Sequence, residues 1–419
     1  MRFASFFKGI LQKMNHSTTC RKEDKKTMTY EFNERTMRRG TLSYKWDQGQ
    51  TLFGDDEVLP LWVADMDFKC SPAIIQAVTE RAAQGIYGYT IRSKDYLNAI
   101  TGWFQRRHGW NVDESWLTDS PGVVPSLSLA VQSLTEPGDE IILQSPVYNP
   151  FYDVIQRNGR KLAESPLLLK NGRYEMDYEK LETLMSGGAK LLLLCSPQNP
   201  GGRVWTKEEL VRLGDLCVKY DVKVIADEIH CDLVFPGHQH FPFASLSEQF
   251  AERTITCLAP SKTFNMPGLS TSFTVISNPR LKRRFDERIH ALSIGSVNFF
   301  GPPATIAAYN ESEPWLDALL TYVAANQEFA ISYLSNHLPA LVPVRSEGTY
   351  LLWLDCRALG LDSKQLKQLM YKEAKIAFNE GSIYGREGEG FLRINLACPR
   401  DLLVEALDRF TAAVNARNK

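Results

Sequence analysis

The sequence has no surplus of either charge. Its 48 Lys and Arg stand against 49 Asp and Glu, a formal net charge of −1. A nucleic-acid binder or a polybasic membrane-surface protein would show a basic excess, so neither is expected. No run approaches the ~18 apolar residues of a transmembrane helix, and no membrane span is expected. The eight cysteines, at positions 20, 70, 195, 217, 231, 257, 356 and 398, never form C-x-x-C. No metal site or thioredoxin-like motif is therefore visible. Several cysteines lie in apolar runs such as "LLLLCSP" and "TITCLAP", where the thiol behaves as a small hydrophobe. That usage points to a reducing compartment, the cytoplasm. Internal repeats and low-complexity tracts are also missing, which leaves no sign of a solenoid.

What is present is the composition of an ordinary globular protein, 44% hydrophobic and 23% charged. At about 150 residues per domain, 419 residues suggest two or three domains, or one large domain with a smaller companion. Residues 1–27 hold seven Lys or Arg and two acids, and the apolar start "FASFF" stops at Lys8. That is too short for a secretory signal. The segment reads as a disordered extension, or as sequence upstream of an alternative start at Met28.

From about residue 74, helical patterns alternate with short apolar runs. "SPAIIQAVTERAAQG" predicts a helix with Ser71 as N-cap, Pro72 in the first turn and Gly85 at its end. "SLSLAVQSL" predicts another. The runs "DEIILQSP", "KLLLLCSP", "KVIADEIH", "RTITCLAPS" and "STSFTVIS" are continuously apolar at their centres. Such strands are buried on both faces, so a largely parallel sheet covered by helices is expected, an α/β fold. After about residue 310 a long helix, the runs "TYLLWLD" and "FLRINLA", and a final amphipathic helix suggest a second, α+β domain. The expected division is 28–73 and 311–419 for the small domain and 74–310 for the large one.

Open α/β sheets present functional groups at the carboxyl ends of their strands. Five segments place unusual residues at such ends or at a helix start. In "SPGVVPSLSLAVQ", Gly122, Val123 and Val124 precede a helix whose free N–H groups suit an anion, and Ser126 offers a hydroxyl. In "SPVYNPFY", Tyr148 sits between two prolines and is either a packed aromatic or a face for a flat ring. Asn199 of "CSPQNPGGRVW" is a turn starter or a donor to a ligand oxygen. Asp227 ends a buried strand, where a carboxylate needs a cation or hydrogen-bond donors, and His230 follows three residues later. Arg393 stands inside the apolar strand "GFLRINLACPR" on one face with Phe391 and Asn395, and its planar fork suits a carboxylate. Finally, Lys262 in "LAPSKTFNMPGLS" follows the apolar run "TITCLA". It is a surface lysine or one that forms a Schiff base. An anion cradle, a ring stacker, a donor, a buried Asp, a lysine and a carboxylate-binding Arg together meet the needs of pyridoxal phosphate acting on an amino acid.

The motifs "PLWVADMDF", "GIYGYT", "GVVPSLSLA", "SPVYNPFY", "LCSPQNPGGRVWT", "ADEIHCDLVF", "APSKTFNMPGLS", "GTYLLWLD" and "FLRINLACPR" carry a family resemblance over roughly residues 30 to 415. The chain resembles the fold-type I pyridoxal phosphate enzymes of the aspartate aminotransferase superfamily, and within them the MalY/PatB branch of C–S lyases, the cystathionine β-lyases. The resemblance implies that Lys262 forms the link to the cofactor, Asp227 pairs with the ring nitrogen, Asn199 bonds the ring oxygen and Tyr148 stacks. It implies that Val123, Val124 and Ser126 lie in the phosphate turn and that Arg393 holds the substrate carboxylate. Tyr89 of "GIYGYT" would reach the phosphate of a neighbouring subunit, hence a homodimer. The chain departs from the best-known aminotransferases at three places. It has His230 where they have Tyr, and Ala259 and Ser270 where they use Ser and Arg on the phosphate, which leaves Ser261 as a candidate phosphate ligand. The implied reaction is α,β-elimination of cystathionine or another cysteine S-conjugate. An aminotransferase on the same scaffold is the alternative. A regulatory protein that keeps the fold to bind a partner is a third reading.

Overall fold

Runs of Leu, Ile and Val cannot leave either face in water, and here they assemble into a seven-stranded sheet with separate apolar cores on its two sides. The computed structural model describes residues 30–417, and the extension expected at 1–27 lies outside them. From Phe32 onward the chain forms one unit. The sheet is built from β1 (Leu117–Ser120), β2 (Glu140–Leu143), β3 (Lys161–Glu164), β4 (Leu191–Cys195), β5 (Lys223–Asp227), β6 (Thr254–Leu258) and β7 (Ser272–Val275). Their order is β1-β7-β6-β5-β4-β2-β3. Every pairing from β6 to β3 is parallel, and β7 is antiparallel to both its neighbours. The sheet is thus largely parallel with one reversed strand.

Alternation along each strand feeds the two cores. Leu192, Leu194, Val224 and Ala226 join one core with Leu210, Leu213 and Cys217 of the helix Lys207–Lys219. Leu191, Leu193, Ile225 and Ile255 face the other, covered by the helices Val123–Leu134, Pro150–Arg157 and Pro279–Ala291. The helix at 207 starts on a capping box in which Thr206 and Glu209 satisfy each other's backbone N–H. The helix Pro72–Ala83 begins where "SPAIIQ" predicts, although the Ser71 side chain makes no capping bond. Gly85 follows in the left-handed region with φ 71°.

A second sheet, ordered β8 (Val342–Val344), β9 (Leu351–Asp355), β11 (Phe391–Asn395) and β10 (Asn379–Glu380), is antiparallel throughout. The long helix Glu313–His337 and the last helix Arg400–Arg417 belong to this C-terminal region. Near the N-terminus, Leu59–Pro60 pairs in parallel with Ile376–Ala377. The backbone of Leu61 to Asp67 then runs beside β11, with Asn395 N donating to Leu61 O and Asp67 N to Ala397 O. Among the described residues no helix is long and apolar enough to cross a membrane.

Candidate active site

Strands β1, β2, β4, β5 and β6 all end at one edge of the large sheet, and the loops that follow them line a cavity of about 480 Å³. Registry brings Cys195, Asp227 and Cys257 side by side there. Nine of the eleven residues singled out from sequence line this cavity: Val123, Val124, Tyr148, Asn199, Asp227, His230, Ser261, Lys262 and Arg393. Two do not. Ser126 is buried, with its hydroxyl donating to Gly122 O at 3.0 Å and touching Ser120 Oγ. Tyr89 is fully exposed on the surface.

Each functional group reaches the cavity through an identifiable local device. Lys262 lies on the single helical turn Pro260–Thr263 that follows β6, and its Nζ donates to Ala64 O at 2.6 Å. Burial lowers its pKa to about 8, assisted by the nearby charge of Arg393 and opposed by Asp65 and Asp227. Asp227 is the last residue of β5 and receives the Ile229 N–H at 3.1 Å. Burial raises its pKa to about 7, against the Ile229 N–H and the Lys262 charge. His230 is neutral, its pKa lowered to about 3 by burial and then by Lys262 and Arg393, and its buried Nδ1 has no partner. Asn199 and Tyr148 are set by a shared staple. The Gln198 side chain donates to Pro146 O at 2.6 Å and accepts from Gly201 N at 2.7 Å. Gly202, at φ 71°, packs so closely on Ser346 that any Cβ there would collide with that side chain.

Arg393 enters from the other sheet. Its Nη1 donates to Asn199 Oδ1 at 3.1 Å and its Nη2 to Trp62 O at 2.8 Å, while Nε is buried without a partner. The guanidinium lies 5.1 Å from the centre of the Tyr384 ring. Opposite, the helix Val123–Leu134 has no side-chain cap, so its first-turn N–H groups remain available at the cavity wall.

Sequence reasoning assigned no role to three parts of this wall. Trp62, Val63 and Ala64 form a strap whose carbonyls receive Arg393, Asn395 and Lys262. Tyr44 and Tyr384 add aromatic surface. The strap left one signal, two acids within the apolar stretch "LWVADMDF". Asp67 is buried and accepts from Lys45 and Arg38, each at 2.7 Å, and from Trp46 Nε1 at 2.8 Å.

The residues fit pyridoxal phosphate on several observed counts. Asp227 is a buried carboxylate whose high pKa marks the want of a cation, which a ring nitrogen would provide. The uncapped helix start suits a phosphate. With Asn199 Oδ1 occupied by Arg393, its amide nitrogen is the atom left to donate to a ring oxygen.

The raised pKa of Asp227 has a consequence for stability. An unfolded Asp titrates near 3.9, so from about pH 4 to about pH 7 the folded protein binds the extra proton, and stability falls as pH rises through that window. Above pH 7 the whole cost is present. In protein prepared without cofactor, Asp227→Asn is therefore expected to raise the melting temperature at pH 8. The gain over the parent should shrink toward pH 5, as followed by thermal unfolding at both values. A variant that gains equally at both pH values would contradict the buried-charge account.

Comparisons with known proteins agree with this geometry. The family described as aminotransferase class I and II matches residues 56–410. Cystathionine beta-lyase PatB of Bacillus subtilis (strain 168) is 46% identical over 386 residues, 92% of this chain and 100% of that protein. The crystal structure of cystalysin from Treponema denticola, which contains a pyridoxal 5'-phosphate cofactor, matches with a TM-score of 0.91 and 39% identity, covering 93% of this chain and 100% of the other. A PLP-bound protein of Clostridium difficile 630, provisionally named an aminotransferase, matches with a TM-score of 0.91 and 45% identity over 92% of this chain and 100% of its own. The chain belongs to the aminotransferase class I and II family, shares its fold and its dependence on pyridoxal phosphate, and is similar to the carbon–sulfur lyases within it.

Proposed function

We propose that this chain is a C–S β-lyase that cleaves L-cystathionine or other cysteine S-conjugates to a thiol, pyruvate and ammonia. The observation that carries the reading is the juxtaposition of Lys262, with its depressed pKa, Asp227 and an incompletely partnered Arg393 in one cavity. The 46% identity to a cystathionine beta-lyase supports the substrate class.

The chemistry can be assigned to residues. When bound, pyridoxal phosphate supplies an electron-withdrawing ring over which negative charge at an amino acid's Cα is spread. Asp227 would keep a proton on the ring nitrogen, Asn199 would donate to the ring oxygen and Tyr148 would offer its face to the ring. Val123, Val124 and Ser261 would hold the phosphate end. Arg393 orients the substrate carboxylate with its fork. Lys262, whose burial favours the neutral amine near pH 8, takes the Cα proton. The Cβ–S bond then breaks with its electron pair on sulfur, and the Lys262 ammonium returns a proton to the thiolate. Overall, one conjugate and one water give one thiol, one pyruvate and one ammonium.

We also take residues 74–310 as the large domain and 28–73 with 311–419 as the small one. The seven-stranded sheet falls within the first part and the four-stranded sheet within the second. A cytoplasmic location is supported by seven cysteines that are free among the described residues. A homodimer is supported by the exposed apolar segment Ile86, Tyr87, Tyr89 and Ile91. In it, Tyr89 would close the phosphate side of the partner's site.

Three outcomes test these assignments. Protein incubated with L-cystathionine should release pyruvate and thiol, and Lys262→Ala should lower the rate at least about a hundredfold. Consumption of a 2-oxo acid one-for-one with the amino acid, and no thiol, would instead identify an aminotransferase. Arg393→Ala should raise KM for amino acids strongly and leave the visible absorbance of the bound cofactor intact. A normal KM would assign Arg393 another partner. Tyr89→Phe should weaken cofactor affinity about ten- to a hundredfold, the equivalent of one charge-assisted hydrogen bond. Mixed under subunit exchange with Lys262→Ala, it should recover activity above either parent, because one site of each hybrid dimer is then intact. No recovery despite proven exchange would rule out a shared site.

A further inference from the structure

The turn that carries Lys262 is too short to hold itself. Pro260–Thr263 is one helical turn, and an isolated turn is unstable because nucleation costs more than one hydrogen bond returns. Something outside it must fix where the amine points. Two side chains close to Lys262 in sequence bond away from the cavity. Asn265, two residues past the turn, grips the segment that follows the strap. Its Oδ1 accepts from Met66 N at 2.9 Å, and its Nδ2 donates to Met66 O at 3.1 Å and Phe68 O at 2.8 Å. Thr263, fully buried, donates its hydroxyl to Asp232 Oδ2 at 2.8 Å.

Asp232 has no part in the chemistry described above. It is buried, lies outside the cavity lining, and stands five residues beyond Asp227 in the loop that leaves β5. Its other oxygen accepts from Trp103 Nε1 at 3.0 Å and lies 2.8 Å from His108 Nε2. Both donors come from the helix Lys94–His108. Burial alone would raise the carboxyl's pKa, but His108, Thr263 and Trp103 outweigh it and hold it below the ordinary value. One carboxylate therefore joins three pieces of chain: the loop that begins at Asp227, the helix behind it and the turn of Lys262. His108, Cys231 and Asp232 also place a donor atom each within 4.8 Å of one another, a spacing that a cation could use. The Asp232 oxygens are already engaged by three donors, however, which fits an anchor better than a metal ligand.

We propose that Asp232, acting through Thr263, is a positioning residue that fixes the Lys262 amine relative to Asp227. The inference rests on the reading of Lys262 and Asp227 as the cofactor's partners. It adds that their separation is set by a carboxylate that touches neither substrate nor cofactor. Because Asp227 and Asp232 share a short loop, a shift of the lysine turn is resisted through the same segment that fixes the ring's partner.

The test compares Thr263→Val, which keeps the shape and removes the donor, with Thr263→Ser, which restores the hydroxyl. With S-ethyl-L-cysteine as substrate, Thr263→Val should lower kcat about ten- to a hundredfold, the size of effect that small misplacements of a catalytic group produce. KM should stay nearly unchanged, and the visible circular dichroism of the bound cofactor should change. Thr263→Ser should restore both. Should Thr263→Val fail to fold, Asp232→Asn carries the same comparison at unchanged side-chain size. The proposal is overturned if Thr263→Val keeps the parental kcat. It is also overturned if the variant loses kcat and melting temperature together with unaltered visible dichroism and no rescue by Ser. A parent that releases no pyruvate from any cysteine S-conjugate would refute the lyase reading instead, and the dichroism comparison would still decide the role of Asp232.

Discussion

Burial of charge at one edge of a parallel sheet is the constraint on which the site depends. The same loss of water moves three groups in the directions their charges dictate: Lys262 down, Asp227 up and His230 down. None of the three is neutralised by an ion pair of its own in the way that Asp67 is by Lys45 and Arg38. The contrast separates two uses of buried charge in one protein. Asp67 is fully partnered and fastens the strap. Asp227 and Lys262 are left under-partnered, and a ligand with a cationic ring nitrogen and an electrophilic carbon supplies what each lacks.

The architecture makes this possible by division of labour. The large sheet supplies Asp227, Asn199, Tyr148, Lys262 and the helix start, each from a strand end whose backbone is already fixed by its neighbours. The four-stranded sheet supplies Arg393 from within a strand, where registry with Trp353 and Asn379 sets the guanidinium's position. The Arg393–Asn199 hydrogen bond, between residues 194 apart in sequence, joins the two groups of elements across the cavity. The residue proposed to bind the substrate carboxylate and one proposed to bind the cofactor are thereby joined by one contact.

Much of this was legible in the sequence because desolvated charge is conspicuous there. Arg393 inside "FLRINLA" and Asp227 after "KVIA" break apolar runs that predict buried strands, and the structure contains both strands. The direction of β7 was not legible from its pattern. Ser272–Val275 is buried throughout, like the parallel strands, and periodicity carries no sign of direction. The only hint was the short link from Leu258 to Ser272, which holds no crossover helix of the length that parallel pairing needs. Ser126 illustrates another limit. Its place near a helix start was readable, but its hydroxyl turns back onto Gly122 O and Ser120 Oγ in the preceding turn, and Ser120 is in turn tied to Ser272 of β7, a contact that depends on how β1 and β7 pair. The roles of Ala64 and Trp62 were unreadable for a simpler reason. Both act through backbone carbonyls, which every residue possesses.

Those carbonyls also show how the strap can remain in place if Lys262 acts as proposed. Ala64 O accepts from Lys262 Nζ and also from the Tyr350 hydroxyl at 2.8 Å. When the lysine nitrogen is committed elsewhere, the carbonyl keeps one donor and is not left buried and unpaired, a condition that would cost on the order of 1–3 kcal/mol. Val63 O and Asp65 O are held together by the Asn395 amide at 2.7 and 2.6 Å, so the backbone on either side of Ala64 does not rely on the lysine. Arg393 has the complementary provision. Its Nη2 stays on Trp62 O while the unpartnered Nε remains free to meet an incoming carboxylate. The strap is thus fastened by Asn395 and Tyr350, so that in the proposed mechanism Lys262 can leave Ala64 O while Arg393 stays on Trp62 O.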